Sequence, residues 1–488
     1  MNTAKIYPLL LCCCCFGWIA AGAVKPAQIF SDHMVLQRDQ LVPVWGTATP
    51  GAPVSVTFGD QRKTAVAAAD GQWRVTLDPM PACDKPRDLI LEEGNSEAKV
   101  VIGDVLMGDV WLGSGQSNMA WTMEQVQASK SNAAAWQQIQ KEIDEAPDPR
   151  LRLFHSGKDP RANAWQVCSR ETVPLNSAVG YCFAREVVRG QQVPVGFITA
   201  ALGGTPIENW ISREAFRNSE AFKAESPANA PVVIDGLTAG VFYDSCIRPW
   251  ASFALKGILW YQGENNLMKG DSPSRYSAKM ELLISSWRKA WGREDLPFYY
   301  VQLSQMAYSK GKDSKITPEA LPAFQDIQRR LLALPHTGMA MTADAEPYFG
   351  LLHPINKWDV GQRLWLWAAW DCYGRKDVVP SGPLYKRMEV RDGKAVLFFD
   401  CVGGGLVTHD NEPLSGFQIR GEDGVYHPGT AAIAGPQVVV SNPDVKQPAA
   451  VRYNWDEMAR RSLFNKEGLP ASPFCTEPGI VGNKNIKQ

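Results

Sequence analysis

GDVWLGSGQSNM, residues 108–119, runs from an apolar stretch through a doubled-glycine turn into Gln116, Ser117 and Asn118. Val110 to Leu112 read as the end of a buried strand, Gly113 and Gly115 let the backbone turn sharply, and Ser117 begins the next element. A hydroxyl at such a corner stands at the carboxyl edge of a sheet, beside backbone N–H groups and a helix N-terminus able to hold a developing oxyanion. The turn is not a G-x-S-x-G elbow, because Met119 occupies the place of the last glycine, and this argues against an ordinary α/β-hydrolase. A serine that only caps a helix is the alternative reading of the same residues.

The surrounding pattern decides what kind of sheet this is. From about Val101, apolar runs of buried-strand length (VLMGDVWLG, GFITAAL, KGILWYQG, PFYYVQL, GMAMTA) alternate with helical periodicity over 177–189, 274–291 and 324–334. Alternating β and α predicts a doubly wound, mostly parallel sheet with ligands at the carboxyl ends of its strands. Before it, residues 24–100 read as short antiparallel strands separated by Pro, Gly and Asp, and after about Arg375 the strand pattern returns. The expected organisation is therefore an N-terminal β domain over 24–100, an α/β catalytic domain over 101–374 and a β-rich region over 375–488.

Lys and Arg total 50 against 51 Asp and Glu in 488 residues, so no field favours nucleic acid or an acidic membrane surface. Residues 1–23 carry one Lys, an apolar stretch from about Ile6 and small residues at Ala21 and Ala23, the pattern of a secretory signal cut after Ala23. A lipid anchor on one of Cys12 to Cys15 is the alternative. No later run is long enough for a membrane span, so the expected location is secreted, periplasmic or extracellular in a bacterium. Cleavage removes four of eleven Cys, and the seven left are scattered with no C-x-x-C pair or metal spacing, which reads as small buried hydrophobes and no metal site.

Three further stretches bear chemistry at predicted strand ends. TAALGGTPIENW (199–210) offers the side-chain-free backbone of Gly203 and Gly204, which can bring an N–H close to a carbonyl oxygen, although a tight turn explains two glycines as well. ILWYQGENN (258–266) crowds Gln262, Glu264, Asn265 and Asn266, whose amides are neutral donors for an oxyanion or a sugar hydroxyl. DAEPYFGLLHPINKWDVGQRL (344–364) places His353 before Pro354, whose fixed φ suits the first helical position, and His353 has the best context for a general base among the six His of the chain.

These motifs resemble the SGNH hydrolase superfamily, and within it the sialate O-acetylesterase family with its neighbouring acetylxylan esterases. GDVWLGSGQSNM, GGTPIENW, WYQGENN and LHPINKWDVGQRL occur in order, flanked by IFSDHMVLQRDQLVPVWGTATPG near the start and SGPLY, AVRYNW and LFNKEGLPASPF near the end. The resemblance implies Ser117 as nucleophile, His353 as base, and an oxyanion hole built from the N–H groups of Ser117 and Gly204 with an amide from 262–266, Gln262 before Asn265 or Asn266. Many members carry an Asp two or three residues before the His. Here those positions are Leu351 and Gly350, so Asp344 first, Glu346 next, or a backbone carbonyl would have to orient the imidazole.

The expected function is hydrolysis of O-acetyl groups on glycans, most of all sialic acid, without metal or organic cofactor. Asn118, Glu264, Asn266 and Arg363 are the candidate substrate-binding residues, Arg363 for a sialate carboxylate. Acetylated xylan carries no such charge, so an acetylxylan esterase is the alternative within the enzyme class. A glycan-binding protein with an inert central sheet is the alternative outside it.

Overall fold

The computed structural model describes residues 24–477 except 95–98, 130–132, 157–162, 312–313, 343, 345–349 and 410–411. The expected leader at 1–23 and Glu346 lie outside the described residues. The molecule is organised by one long strand, β1 (Lys99–Gly115). Its first half pairs with strands 83–93 and 35–37 of the N-terminal β module, and its second half lies between two parallel neighbours. From Val105 to Gly115 every residue is buried, as a strand covered on both faces requires. The boundary expected near residue 100 thus falls inside a strand that both layers share.

The central sheet continues with β2 (Asp148–His155), β3 (Trp165–Cys168), β4 (Val195–Ala201), β5 (Gly257–Tyr261), β6 (Phe298–Val301) and β7 (Thr337–Ala340). Their spatial order is β3-β2-β4-β1-β5-β6-β7. All neighbours are parallel except β3 against β2. The chain fills one side of β1 and then crosses to the other, so the reversal point lies beside the carboxyl end of β1, where such sheets bind ligands. β2 is hard to see in the sequence because Arg150 and Arg152 interrupt its apolar run; Arg152 is buried, with its charge balanced by Asp104 at 2.6 Å.

Short α1 (Ser117–Ala120) follows β1 directly, and α2 (Ala178–Gln191), α3 (Glu264–Met268), α4 (Pro273–Trp291), α5 (Ala320–Arg330) and α6 (Lys357–Asp371) cover the sheet. The Ser177 hydroxyl caps α2 by accepting from Gly180 N–H, and Ser272 caps α4 through Arg275 N–H. Helix α6 corrects one expectation: it begins at Lys357 with Asn356 accepting from Asp359 N–H at 3.1 Å, so His353 and Pro354 stand in the loop before the helix, not in its first turn. No helix among the described residues is long and apolar enough to cross a membrane.

Beyond residue 383 two four-stranded sheets close over Leu397, Ile419, Val438, Val451, Tyr453 and Phe474. The chain then folds back onto the catalytic layer, where Gln302 Nε2 donates to Ser472 Oγ at 2.8 Å and Ser309 N–H to Glu457 at 2.9 Å. The cysteines at 83, 168, 182, 246, 372, 401 and 475 are free thiols.

Candidate active site

Three strand ends meet at the switch point. Gly115, the last residue of β1, has φ +130°, and a Cβ there would lie 2.2 Å from the Tyr261 carbonyl oxygen, so only glycine lets the chain turn so tightly against β5. That turn brings Ser117 to the sheet edge, half-buried at the start of α1. The loop after β4 passes beside it: a Cβ built at Gly203 would lie 3.5 Å from Ser117 Cβ, and Gly204, at φ +70°, is exposed. Ser117 N–H opens a helix and has no intrahelical acceptor. Neither it nor Gly204 N–H donates to an acceptor among the described residues.

His353 Nε2 lies 2.8 Å from Ser117 Oγ. The ring stacks on Trp121, with centroids 4.2 Å apart and planes 25° from parallel, and this contact fixes its orientation sideways. Burial, and next the Lys357 ammonium, hold the imidazole below its ordinary value of 6.5, which keeps it neutral and able to accept a proton. Among the described residues no acid touches it. Asp344, the first choice for an orienting acid, instead meets the Arg363 guanidinium in a bidentate pair at 2.5 and 2.6 Å, and Arg363 also donates to the Met341 carbonyl at 2.7 Å. The two residues expected to orient the base and to read a carboxylate therefore satisfy one another.

The polar cluster after β5 faces inward more than the sequence alone indicates. Gln262 is fully buried, and its Nε2 donates to Asn266 Oδ1 at 2.7 Å and to the Thr205 carbonyl at 3.2 Å, so both amide protons are committed and it is not the oxyanion donor expected. Asn266, also buried, accepts from Ile207 N–H and donates to Glu208 and Asp271; Glu264 is buried as well. Neither is presented to a substrate. Asn265 alone of this group is half-exposed, and its Nδ2 donates to the Gly204 carbonyl at 2.8 Å, the second amide proton having no acceptor among the described residues.

Asn118 is buried too. It sits between Glu264, reached by its Nδ2 at 2.5 Å, and Lys357, whose Nζ donates to its Oδ1 at 2.6 Å. Burial raises the Glu264 carboxyl and pushes the Lys357 amine down to about 7, against the pull of Glu264. Lys357 and Trp121 are the site residues that sequence reasoning missed; a lysine in the first turn of a helix reads as solvent-facing. One carboxylate group among the described residues has metal-like spacing, Glu208, Asp235 and Asp271. Lys279 Nζ already sits among them at 2.5, 2.6 and 2.5 Å, so the cluster is an ion-pair network around a buried lysine, and its Glu208 and Asp271 anchor Asn266.

Comparison with known proteins agrees with this architecture. The family described as carbohydrate esterase, sialic acid-specific acetylesterase, matches residues 107–351. Sialate O-acetylesterase of Pongo abelii is 30% identical over 416 residues, 76% of this chain and 75% of that protein. That of Homo sapiens is 29% identical over the same shares. The crystal structure of a carbohydrate acetylesterase from Xanthomonas citri superposes with a TM-score of 0.80 at 34% identity, covering 93% of this chain and 100% of that one. A mostly parallel sheet that turns at Ser117, together with this relatedness along most of the chain, means that the protein belongs to the sialate O-acetylesterase family and is a carbohydrate esterase that removes O-acetyl groups.

Proposed function

We propose that the chain deacetylates sialic acid-bearing glycans through a Ser117–His353 pair. The observation that carries this reading is the 2.8 Å contact between Ser117 Oγ and His353 Nε2 at the carboxyl edge of the central strand. Ser117 Oγ attacks the acetyl carbonyl carbon while its proton passes to His353 Nε2. His353 returns that proton to the sugar oxygen as the ester C–O bond breaks. A water deprotonated by His353 then attacks the acetyl-serine, releasing acetate and restoring the hydroxyl. The oxyanion is held by Ser117 N–H, Gly204 N–H and the second amide proton of Asn265.

Asn265→Ala is expected to lower kcat by about 10²- to 10³-fold with little change in melting temperature, the size of effect found for one lost oxyanion donor. Gln262→Ala is expected to do the opposite, lowering stability by roughly 1–3 kcal/mol as its buried partners lose a hydrogen bond. Parallel kinetics and thermal melts check both, and a Gln262→Ala enzyme that is stable but inactive would return the oxyanion role to Gln262.

The family relationship supports a sialate substrate. One observation favours a second reading, a neutral acetylated polysaccharide such as xylan: Arg363 is already paired with Asp344, so this guanidinium is not open to a sialate carboxylate. Acetate release from O-acetylated sialic acid and from acetylated xylan, measured side by side with Ser117→Ala as control, decides between them. Preference for the sialate supports the first reading and preference for xylan the second. Silence on both from folded protein would overturn both substrate readings.

A further inference from the structure

Ser117 and His353 come from opposite ends of the catalytic layer, 236 residues apart, and no acid touches His353 among the described residues, so the groups that hold the two in register are found elsewhere. Asn118 follows the serine, and Leu352 precedes the histidine. The Asn118 side chain joins the two, because its Nδ2 donates to the Leu352 carbonyl at 3.0 Å. The rest of that amide is gripped from behind by Glu264 Oε1 and Lys357 Nζ at 2.5 and 2.6 Å. Lys357 also lies over the Tyr261 ring, 5.3 Å from its centroid. Both charged groups are at most 1% exposed. Buried charges held apart by a neutral amide are a costly way to fill a core, and here they immobilise one side chain on which both halves of the reacting pair depend.

We propose that the buried Glu264–Asn118–Lys357 bridge positions His353 against Ser117, doing the work that an orienting acid does in related hydrolases. The inference rests on the Ser117–His353 reading above. It makes these three positioning residues, not the substrate-binding residues that Asn118 and Glu264 resemble in the sequence.

The electrostatics follow from the same placement. The groups bearing on His353 are Ser117 from α1, the neutral Trp121 ring and the Lys357 ammonium from α6. Those bearing on the far side of the bridge are Glu264 from α3 and the hydroxyls of Tyr261, Tyr276 and Tyr308, which burial holds protonated. An ammonium near His353 disfavours the imidazolium, so its removal raises the pKa of the base.

The test is Lys357→Met, assayed on a simple acetyl ester beside the parent enzyme and Ser117→Ala. Lost alignment is expected to lower kcat by about 10- to 100-fold with KM within about twofold, and the acid limb of the pH–rate profile is expected to move to higher pH. A variant with lowered melting temperature but parental kcat and acid limb would overturn the proposal, since that is the signature of a structural lysine. Should Lys357→Met not fold, Asn118→Ser carries the test: it removes the strut and leaves both charges in place, the same loss of kcat is expected, and parental kcat overturns the proposal. Turnover by Ser117→Ala would instead remove the Ser117–His353 reading itself, so the two failures are told apart.

Discussion

Ser117→Ala is expected to lower kcat for a simple acetyl ester by on the order of 10⁵-fold or more while the protein melts as the parent does. The size of the effect reflects what is lost, since without Oγ no acyl-enzyme forms and only the oxyanion donors and substrate binding remain. The stability expectation comes from the environment: Ser117 is half-buried and its hydroxyl is paired with His353, so truncation leaves the imidazole with access to water and no buried orphan. Kinetics with p-nitrophenyl acetate and a thermal melt check the two halves, and measurable turnover close to the parent rate would contradict the role of Ser117.

His353→Ala is expected to cost about as much, and Ser117→Ala/His353→Ala little more than either alone, because members of a catalytic unit are strongly non-additive. In the parent enzyme the base must be neutral to accept the serine proton. Burial and Lys357 lower its pKa, so at a pH just below 6.5 more of the enzyme is active than an ordinary imidazole would allow, and the acid limb of kcat/KM falls below 6.5. A limb at or above 6.5 in the parent enzyme would contradict the electrostatic account of the site. Rescue of His353→Ala by added imidazole would point to the same missing base.

The elements that place the chemistry were legible because they rest on local rules. Gly115 after an apolar run marks the turn at Ser117, whereas Gly113, also read as part of that turn, lies inside β1, and the scarcity of histidines in a favourable context points to His353. What the sequence concealed was tertiary. Asp344 and Arg363 stand 19 residues apart and each looked available for a partner in the site; only the fold shows that they choose one another. Gln262, Glu264 and Asn266 are polar at a strand end, where the usual expectation is solvent or substrate, yet the Thr205 carbonyl, Asn118 and Glu208 reach in from neighbouring elements to pair with them. Lys357 is the extreme case, because nothing local distinguishes a buried lysine from a solvated one. The Arg-interrupted strand β2 was hidden for the same reason, since its compensating Asp104 lies 48 residues earlier.

Among the described residues, the N-terminal and C-terminal β layers join the catalytic layer through strand continuity and hydrogen bonds away from the reacting pair. β1 carries the N-terminal module straight into the switch point beside Ser117. The C-terminal chain braces the other edge through Gln302, Ser309 and Gln325. This bracing gives a physical reason for the catalytic sheet to be embedded in a larger β-rich frame.

The most direct test of the Ser117–His353 mechanism is covalent trapping. The purified enzyme is treated with a p-nitrophenyl phosphonate, residual acetylesterase activity is followed, and the modified peptide is identified by mass spectrometry. The mechanism predicts one adduct, on Ser117, forming in step with the loss of activity and slowed severely in His353→Ala. Full inactivation with the adduct on another residue, or undiminished turnover by enzyme modified at Ser117, would contradict it.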